Sequence, residues 1–273
     1  MSMDRQPLSL EELKKHQIGI LDAVASFCDQ NEIPYFLSGG TLLGAVRHKG
    51  YIPWDDDIDI CMMRRDYESF IRIFNDSNDR YKVYSIENDP SFLREYGKVL
   101  DTRTVLYEPD ESGKKLCVNI DLFIVDPAPA DDQLVSQMYD RRDRLRRKKI
   151  LREQSKYQKV TGFHSLWYFI RGLFRRMIPE RYYVKQLVKN ARSFIDPNSE
   201  FVGDFCGYYH GQPRVKVPRA LFAETVFLDF EGKQYRAPAG YDAWLKALYG
   251  DYMTLPPKEE RVSHHRFVAY SLE

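Results

Sequence analysis

Hydrophobic positions along this chain keep helical spacing in some stretches and strand spacing in others, and the switches outline its elements. Over 8–31, Leu13, Ile20, Leu21, Val24 and Phe27 recur at helical spacing, and Ser9 with Glu12 has the spacing of a capping box. A short apolar run, Tyr35-Phe36-Leu37, predicts a buried strand that ends on Ser38-Gly39-Gly40-Thr41, with Thr41 capping a helix over 42–48. Gly50 and Pro53 punctuate a loop before 55–60, which reads as a strand with Asp57 and Asp59 on one face and Ile58 and Ile60 on the other. An amphipathic helix follows over 66–75, with Tyr67, Phe70, Ile71 and Phe74 on one side, then strands over 81–86 and 96–100. A further strand over 118–124 is interrupted by Asp121 and closes at Asp126-Pro127, where Asp126 reads as a turn residue.

From 131 the pattern becomes polar and basic. A helix over 133–159 carries Arg141, Arg142, Arg144, Arg146, Arg147, Lys148, Lys149 and Arg152. A second, over 164–178, sets Trp167, Tyr168, Phe169, Ile170, Leu173 and Phe174 beside Arg171, Arg175 and Arg176. Aromatic residues flanked by basic ones match an interfacial helix on anionic lipid, although aromatic stripes are also core and charge runs also solvated faces. The final part returns to short segments: a strand within 220–230, a tight turn at Glu231-Gly232-Lys233, and a helix over 240–249 started by Pro238 and Gly240 and ended by Gly250. The expected organisation is a catalytic core over 1–130, a basic helical insertion over 131–200 and a C-terminal segment over 201–273 that packs back on the core.

Composition adds bounds. The 273 residues are 43% hydrophobic, enough for a sizeable core, and the formal net charge of +1 names no partner. Four cysteines, Cys28, Cys61, Cys117 and Cys206, lie far apart with no C-x-x-C pair, which argues against a zinc knuckle and demands no disulfide. No recognised nucleic-acid-binding motif accompanies the basic residues, so no nucleic-acid partner is expected. With no signal peptide and no apolar run long enough to span a bilayer, a cytoplasmic location is expected.

The chemistry is concentrated in SGGTLLGAVRHKGYIPWDDDID. Glycine lets the backbone approach a ligand closely, and N–H groups at a helix start are suited to phosphate. Two adjacent carboxylates, Asp57 and Asp59, repel unless a cation lies between them, and a hard ion such as Mg²⁺ takes such oxygen ligands together with phosphates. Asp121 within an apolar strand needs a partner, either the same ion or an arginine in a buried salt bridge.

This string resembles the LicD family of bacterial phosphocholine transferases, whose animal relatives are fukutin and fukutin-related protein. Shorter likenesses support it: Lys98, Asp101 and Thr104 in a Lys-x-x-Asp-x-x-Thr stretch, Asp121 before an apolar residue and Phe123, APAGYDAWLKALYGDYMTLPP near the end, and Ser263-His264-His265. The resemblance implies an α/β (α+β) fold, with a nucleotidyltransferase-like mixed sheet flanked by helices. It implies catalysis and metal binding by Asp57, Asp59 and Asp121, with Mg²⁺ or Mn²⁺. Substrate would be held by Ser38, Gly39, Gly40, Thr41, Arg47, His48, Trp54, Lys98, His264 and His265, with Trp54 and Tyr51 as candidates for a cage around a quaternary ammonium.

The implied reaction moves phosphocholine from CDP-choline to a sugar hydroxyl of a cell-surface glycan, teichoic acid or lipopolysaccharide precursor and releases CMP. A lipid-linked acceptor fits an enzyme working at the inner face of the membrane. Transfer of a polyol phosphate or phosphoethanolamine, a non-catalytic membrane-associated assembly factor, and an RNA-modifying nucleotidyltransferase are the competing expectations.

Overall fold

Helix α1 (Leu10–Gln30) starts at the expected box: the Ser9 N–H donates to Glu12 Oε2 (2.8 Å) and the Glu12 N–H to Ser9 Oγ (3.3 Å). These side chains satisfy N–H groups that a helix start leaves without partners. The computed structural model describes residues 6–107, 115–154, 177–207, 213–262 and 268–272. After α1 come β1 (Phe36–Leu37), α2 (Gly39–His48), β2 (Asp59–Met63) and α3 (Arg64–Ile73). Then follow β3 (Tyr81–Tyr84), β4 (Gly97–Asp101), β5 (Thr104–Tyr107), β6 (Lys115–Leu116) and β7 (Asn119–Ala128). The remainder holds α4 (Asp132–Gln154), α5 (Glu180–Ala191), β8 (Phe201–Gly203), β9 (Val217–Pro218), β10 (Thr225–Phe230), β11 (Lys233–Pro238), α6 (Tyr241–Tyr249) and β12 (Val268–Ser271).

The main sheet runs β1-β2-β7-β4-β3, with β8 added to β7 and β9 to β8. Its β2–β7 pair is parallel and the other pairs are antiparallel. Both central strands are buried, with Ile60, Cys61, Leu122 and Val125 fully inaccessible, as a parallel pair requires. Helix α1 lies across β4 and β7, and α3 lies against β2 and β7. The two helices meet where Phe27 packs edge-on to Phe70 (5.8 Å) and Phe74 (5.1 Å). This is the mixed α/β architecture expected from the sequence.

Several local expectations change. Helix α2 begins at Gly39, with Ser38 in the cap position, so Thr41 lies inside the helix and does not cap it. Strand β2 begins at Asp59, which leaves Asp57 in the preceding loop; only the Ile58 carbonyl continues the ladder, accepting the Asp121 N–H (2.8 Å). Asp126 is a buried strand residue, and its carboxylate receives a fork of hydrogen bonds from Arg64 (2.7 and 3.0 Å). Burial without a counter-charge would be costly, and the guanidinium provides one. Residues Arg219–Phe222 form a short 3₁₀ turn, so the strand starts later, at Thr225, and pairs with β11 through the expected turn at Glu231-Gly232.

The basic helix α4 is tied inward. Arg142 and Arg146 are almost wholly buried. Arg146 donates to Glu95 and to the Cys206 and Gly207 carbonyls, and Lys149 reaches the other Glu95 oxygen (3.2 Å). Part of the positive charge read from the sequence is therefore spent on holding α4 to the core. A small second core of Val135, Met138, Tyr139, Ala191 and Phe205 joins α4 to α5. Residues 164–176 of the expected interfacial helix lie outside the described residues. Among the described residues, no helix is long and apolar enough to cross a membrane.

Candidate active site

The site forms where the end of β1, the start of α2 and the first residues of β2 meet. The Ser38 N–H donates to the Asp59 carbonyl (3.0 Å), and the Thr41 hydroxyl accepts the Asp59 N–H (2.7 Å). Both residues thus hold the backbone of Asp59, and the Ser38 side chain is turned toward the Cys61 thiol. Gly39 has φ of +53°, and a Cβ there would lie 2.2 Å from Asp59 Oδ2. A Cβ on Gly40 would lie 2.6 Å from Asp55 Oδ2. Two glycines in succession are what let α2 start directly against two carboxylates. The Gly40 N–H donates to Asp59 Oδ2 (3.2 Å), so the helix N-terminus faces negative charge, its favourable partner.

Across the parallel pair, Asp59 stands opposite Asp121, and across the antiparallel pair Asp121 stands opposite Lys98. The Lys98 ammonium donates to Asp121 Oδ1 (2.5 Å) and Asn119 Oδ1 (2.8 Å). The basic partner of Asp121 is therefore a lysine from β4, and not the arginine expected as the alternative to an ion. Asp59 is buried. Burial, followed by the negative charges of Asp57, Asp121 and Asp55, pushes its carboxyl well above the usual range, and the Gly40 N–H offsets only part of this. Among the described residues, no three His, Cys, Asp or Glu side chains are already grouped as a metal site.

Two tyrosines that the sequence did not single out feel the charge of these carboxylates. Tyr96 precedes β4, and burial together with Asp121 pushes its phenol well up. Tyr249 ends α6, and burial with the charges of Asp59, Asp55 and Asp57 does the same there. Asp55, against Gly40, is a further carboxylate missing from the expected set. The acidic run DDDID was the only sequence signal for Asp55, and nothing local points to the tyrosines.

Tyr249 also lines a cleft of about 870 Å³ with Leu43, Arg47, Trp54, Tyr252 and Thr254. Arg47 donates to His48 Nε2 (2.9 Å) and to the Tyr252 carbonyl (2.8 Å). As the acceptor of that bond, His48 is neutral at Nε2, and burial and Arg47 push its imidazole below its ordinary value. Trp54 packs edge-on to His48 (6.5 Å). Tyr51 does not reach the cleft: it is buried, donates to Gln17 Oε1 (2.9 Å) and packs on Phe230 (5.0 Å). His264 and His265 lie outside the described residues.

The Lys98-x-x-Asp101-x-x-Thr104 stretch divides between two tasks. Lys98 faces the site, whereas Asp101 is inaccessible and bound by Arg80 (2.7 and 3.0 Å) and His16 Nδ1 (2.7 Å). Thr104 donates to the Asp101 carbonyl (2.7 Å) and accepts the Val118 N–H (2.8 Å). Its last two residues fasten α1, β4 and β7 together.

A glycine turn at a helix start, facing aspartates on neighbouring strands of a mixed sheet, defines the class as a nucleotidyltransferase-like α/β protein. Residues 32–123 match the family described as LicD/FKTN/FKRP, nucleotidyltransferase domain. The chain is 30% identical over 273 residues to the Lipopolysaccharide cholinephosphotransferase LicD of Haemophilus influenzae, spanning 97% of this chain and 99% of that relative. The protein belongs to the LicD family. A shorter likeness, 40% identity over 52 residues, links 19% of this chain to 9% of the Ribitol 5-phosphate transferase FKRP of Homo sapiens.

Proposed function

We propose that this protein transfers phosphocholine from CDP-choline to a sugar hydroxyl of a cell-surface glycan or teichoic acid precursor, releasing CMP. The observation that carries the proposal is the end-to-end similarity to the Haemophilus influenzae relative, whose name states a cholinephosphotransferase. The Asp59–Asp121 pairing beside the Gly39-Gly40 turn supports phosphoryl-transfer chemistry. Work at the inner face of the membrane on a lipid-linked acceptor belongs to the same proposal.

The donor set suits a hard divalent ion. All candidate ligands of Asp57, Asp59 and Asp121 are carboxylate oxygens, and their repulsion around a buried Asp59 is what such an ion relieves. When bound there, Mg²⁺ or Mn²⁺ supplies neutralisation of phosphate charge. The protein's own groups do the rest. Arg47 and His48 bind the diphosphate, Trp54 offers a ring face to the donor, and Lys98 holds Asp121 in place. The acceptor oxygen attacks the phosphorus that carries choline, forming a new P–O bond. The bond from that phosphorus to the bridging oxygen breaks, and CMP departs with its electron pair. Asp121 takes the hydroxyl proton on the oxygen that Lys98 does not hold.

A polyol phosphate is the second proposal, favoured by the likeness to the ribitol 5-phosphate transferase. The test is acceptor-dependent CMP release from CDP-choline with Mg²⁺, compared with CDP-ribitol, for the native chain and Asp59→Asn. Release from CDP-choline that is lost in the variant is expected. Release from CDP-ribitol alone would discard choline and keep the site.

A further inference from the structure

The closing segment after α6 brings a second guanidinium to the edge of the cleft, over Trp54, one of its lining residues. Arg261 donates from Nε to the Pro256 carbonyl (2.8 Å) and lies over the Trp54 ring, 5.6 Å from its centroid. Arg47 reaches the same cleft from the last turn of α2, fixed by His48 and the Tyr252 carbonyl. Burial and the positive charge of Arg261 both push the Arg47 guanidinium down from its ordinary value, which puts the two groups within electrostatic reach. Neither has a carboxylate at ion-pair distance among the described residues. The cleft's own acids, Asp251, Glu259 and Glu260, are exposed, where solvent screens them.

Two guanidiniums held by backbone carbonyls and, among the described residues, left without a counter-ion form a receptor for an anion. Each keeps N–H donors free, and the planar fork matches phosphoryl oxygens. Tyr249, in the cleft lining, feels the charges of Asp59, Asp55 and Asp57. We propose that Arg47 and Arg261 form one anion subsite that binds the diphosphate of the nucleotide-activated donor, with Arg261 delivered by the segment that folds back over Trp54. This rests on the cleft being the donor site. It adds a binding residue from the far end of the chain to those around the glycine turn.

Equilibrium binding of CDP and of inorganic pyrophosphate, measured by calorimetry with Mg²⁺ and with EDTA, tests it on the full chain. Arg261→Ala is expected to weaken both ligands about 10- to 100-fold, and Arg261→Lys less. The native protein should show the steeper loss of affinity with salt, and thermal unfolding establishes that each variant is folded. Native-like CDP affinity in folded Arg261→Ala overturns the proposal, as does a native chain that binds neither ligand. Unchanged CDP affinity with a raised KM for the glycan acceptor moves the arginine to the acceptor side and overturns it too. If Arg261→Ala loses CDP while the native chain binds CDP but transfers nothing from CDP-choline, the subsite stands and only the choline assignment falls.

Discussion

Asp59 and Asp121 stand directly opposite one another on the parallel strands β2 and β7, and Lys98 faces Asp121 from the other side. The two carboxylates come from segments far apart in sequence, and the lysine offsets only one of them. Asp59 is left buried, with Asp55 and Asp57 adding to its charge. Activity and stability should therefore respond oppositely to its removal.

For Asp59→Asn, transfer should fall by about 10²–10³-fold, the order a single preorganised electrostatic group supplies. The same change relieves repulsion in the metal-free protein and should raise its Tm by about 2–4 °C, the shift that about 1 kcal/mol gives in a chain of this class. Calorimetric unfolding in EDTA beside a CMP-release assay checks both. A lowered Tm would show that Asp59 stabilises the fold instead of straining it.

Lys98→Met leaves Asp121 without its partner next to Asp59. The metal-free variant should unfold at a lower temperature than the native chain, and Mg²⁺ should restore more stability to it than to the native protein, because a ligand that binds only the folded state stabilises it. Thermal scans across a Mg²⁺ series measure this. Equal Mg²⁺ responses in the two proteins would argue against an ion beside Asp121.

At Gly39, φ of +53° and a 2.2 Å approach of any Cβ to Asp59 Oδ2 act together. Gly39→Ala should cost about 1–3 kcal/mol in urea unfolding, the usual strain of a non-glycine residue in this region. It should also displace the Asp59 carboxylate, so that transfer falls further than the lost stability explains. Full activity in the folded variant would contradict this placement.

Asp101 gives the opposite pattern. Burial would raise its carboxyl, but hydrogen bonds from Arg80, His16 and the Arg103 N–H overcome this and hold it below its ordinary value. Its stabilisation is present above the unfolded carboxyl's pKa, about 3.9, and is lost as pH falls through the lower folded value. Asp101→Ala should cost about 3–5 kcal/mol at neutral pH and flatten the acid limb of the Tm–pH curve, with transfer per folded molecule kept. Lost activity in a stable variant would place Asp101 in the site instead.

The sequence made the centre of the site legible because its parts are local: a glycine pair, an acidic run and an aspartate inside an apolar strand. The amphipathic stripes of α1 and α3 were equally plain, since helical spacing alone sets which face is buried. What remained hidden depends on tertiary contact. Tyr249 lines the cleft and Arg261 lies over Trp54 from the end of the chain, and no spacing rule links them to Asp59. Asp126 looked like a turn because Pro127 follows it, yet the strand continues and Arg64 neutralises it. Arg142 and Arg146 read as surface charge, because nothing local reveals that the Pro213 carbonyl awaits Arg142, or that Glu95 and the Cys206 and Gly207 carbonyls await Arg146.

The most direct test of the central claim uses CDP-choline labelled separately in choline and in cytidine, given to the native protein with Mg²⁺ and a lipid-linked glycan fraction. Phosphocholine transfer predicts choline label in the glycan and cytidine label released as CMP, with both lost in Asp59→Asn. Cytidine label in the glycan, or no label from a folded protein that does transfer ribitol phosphate, would contradict it.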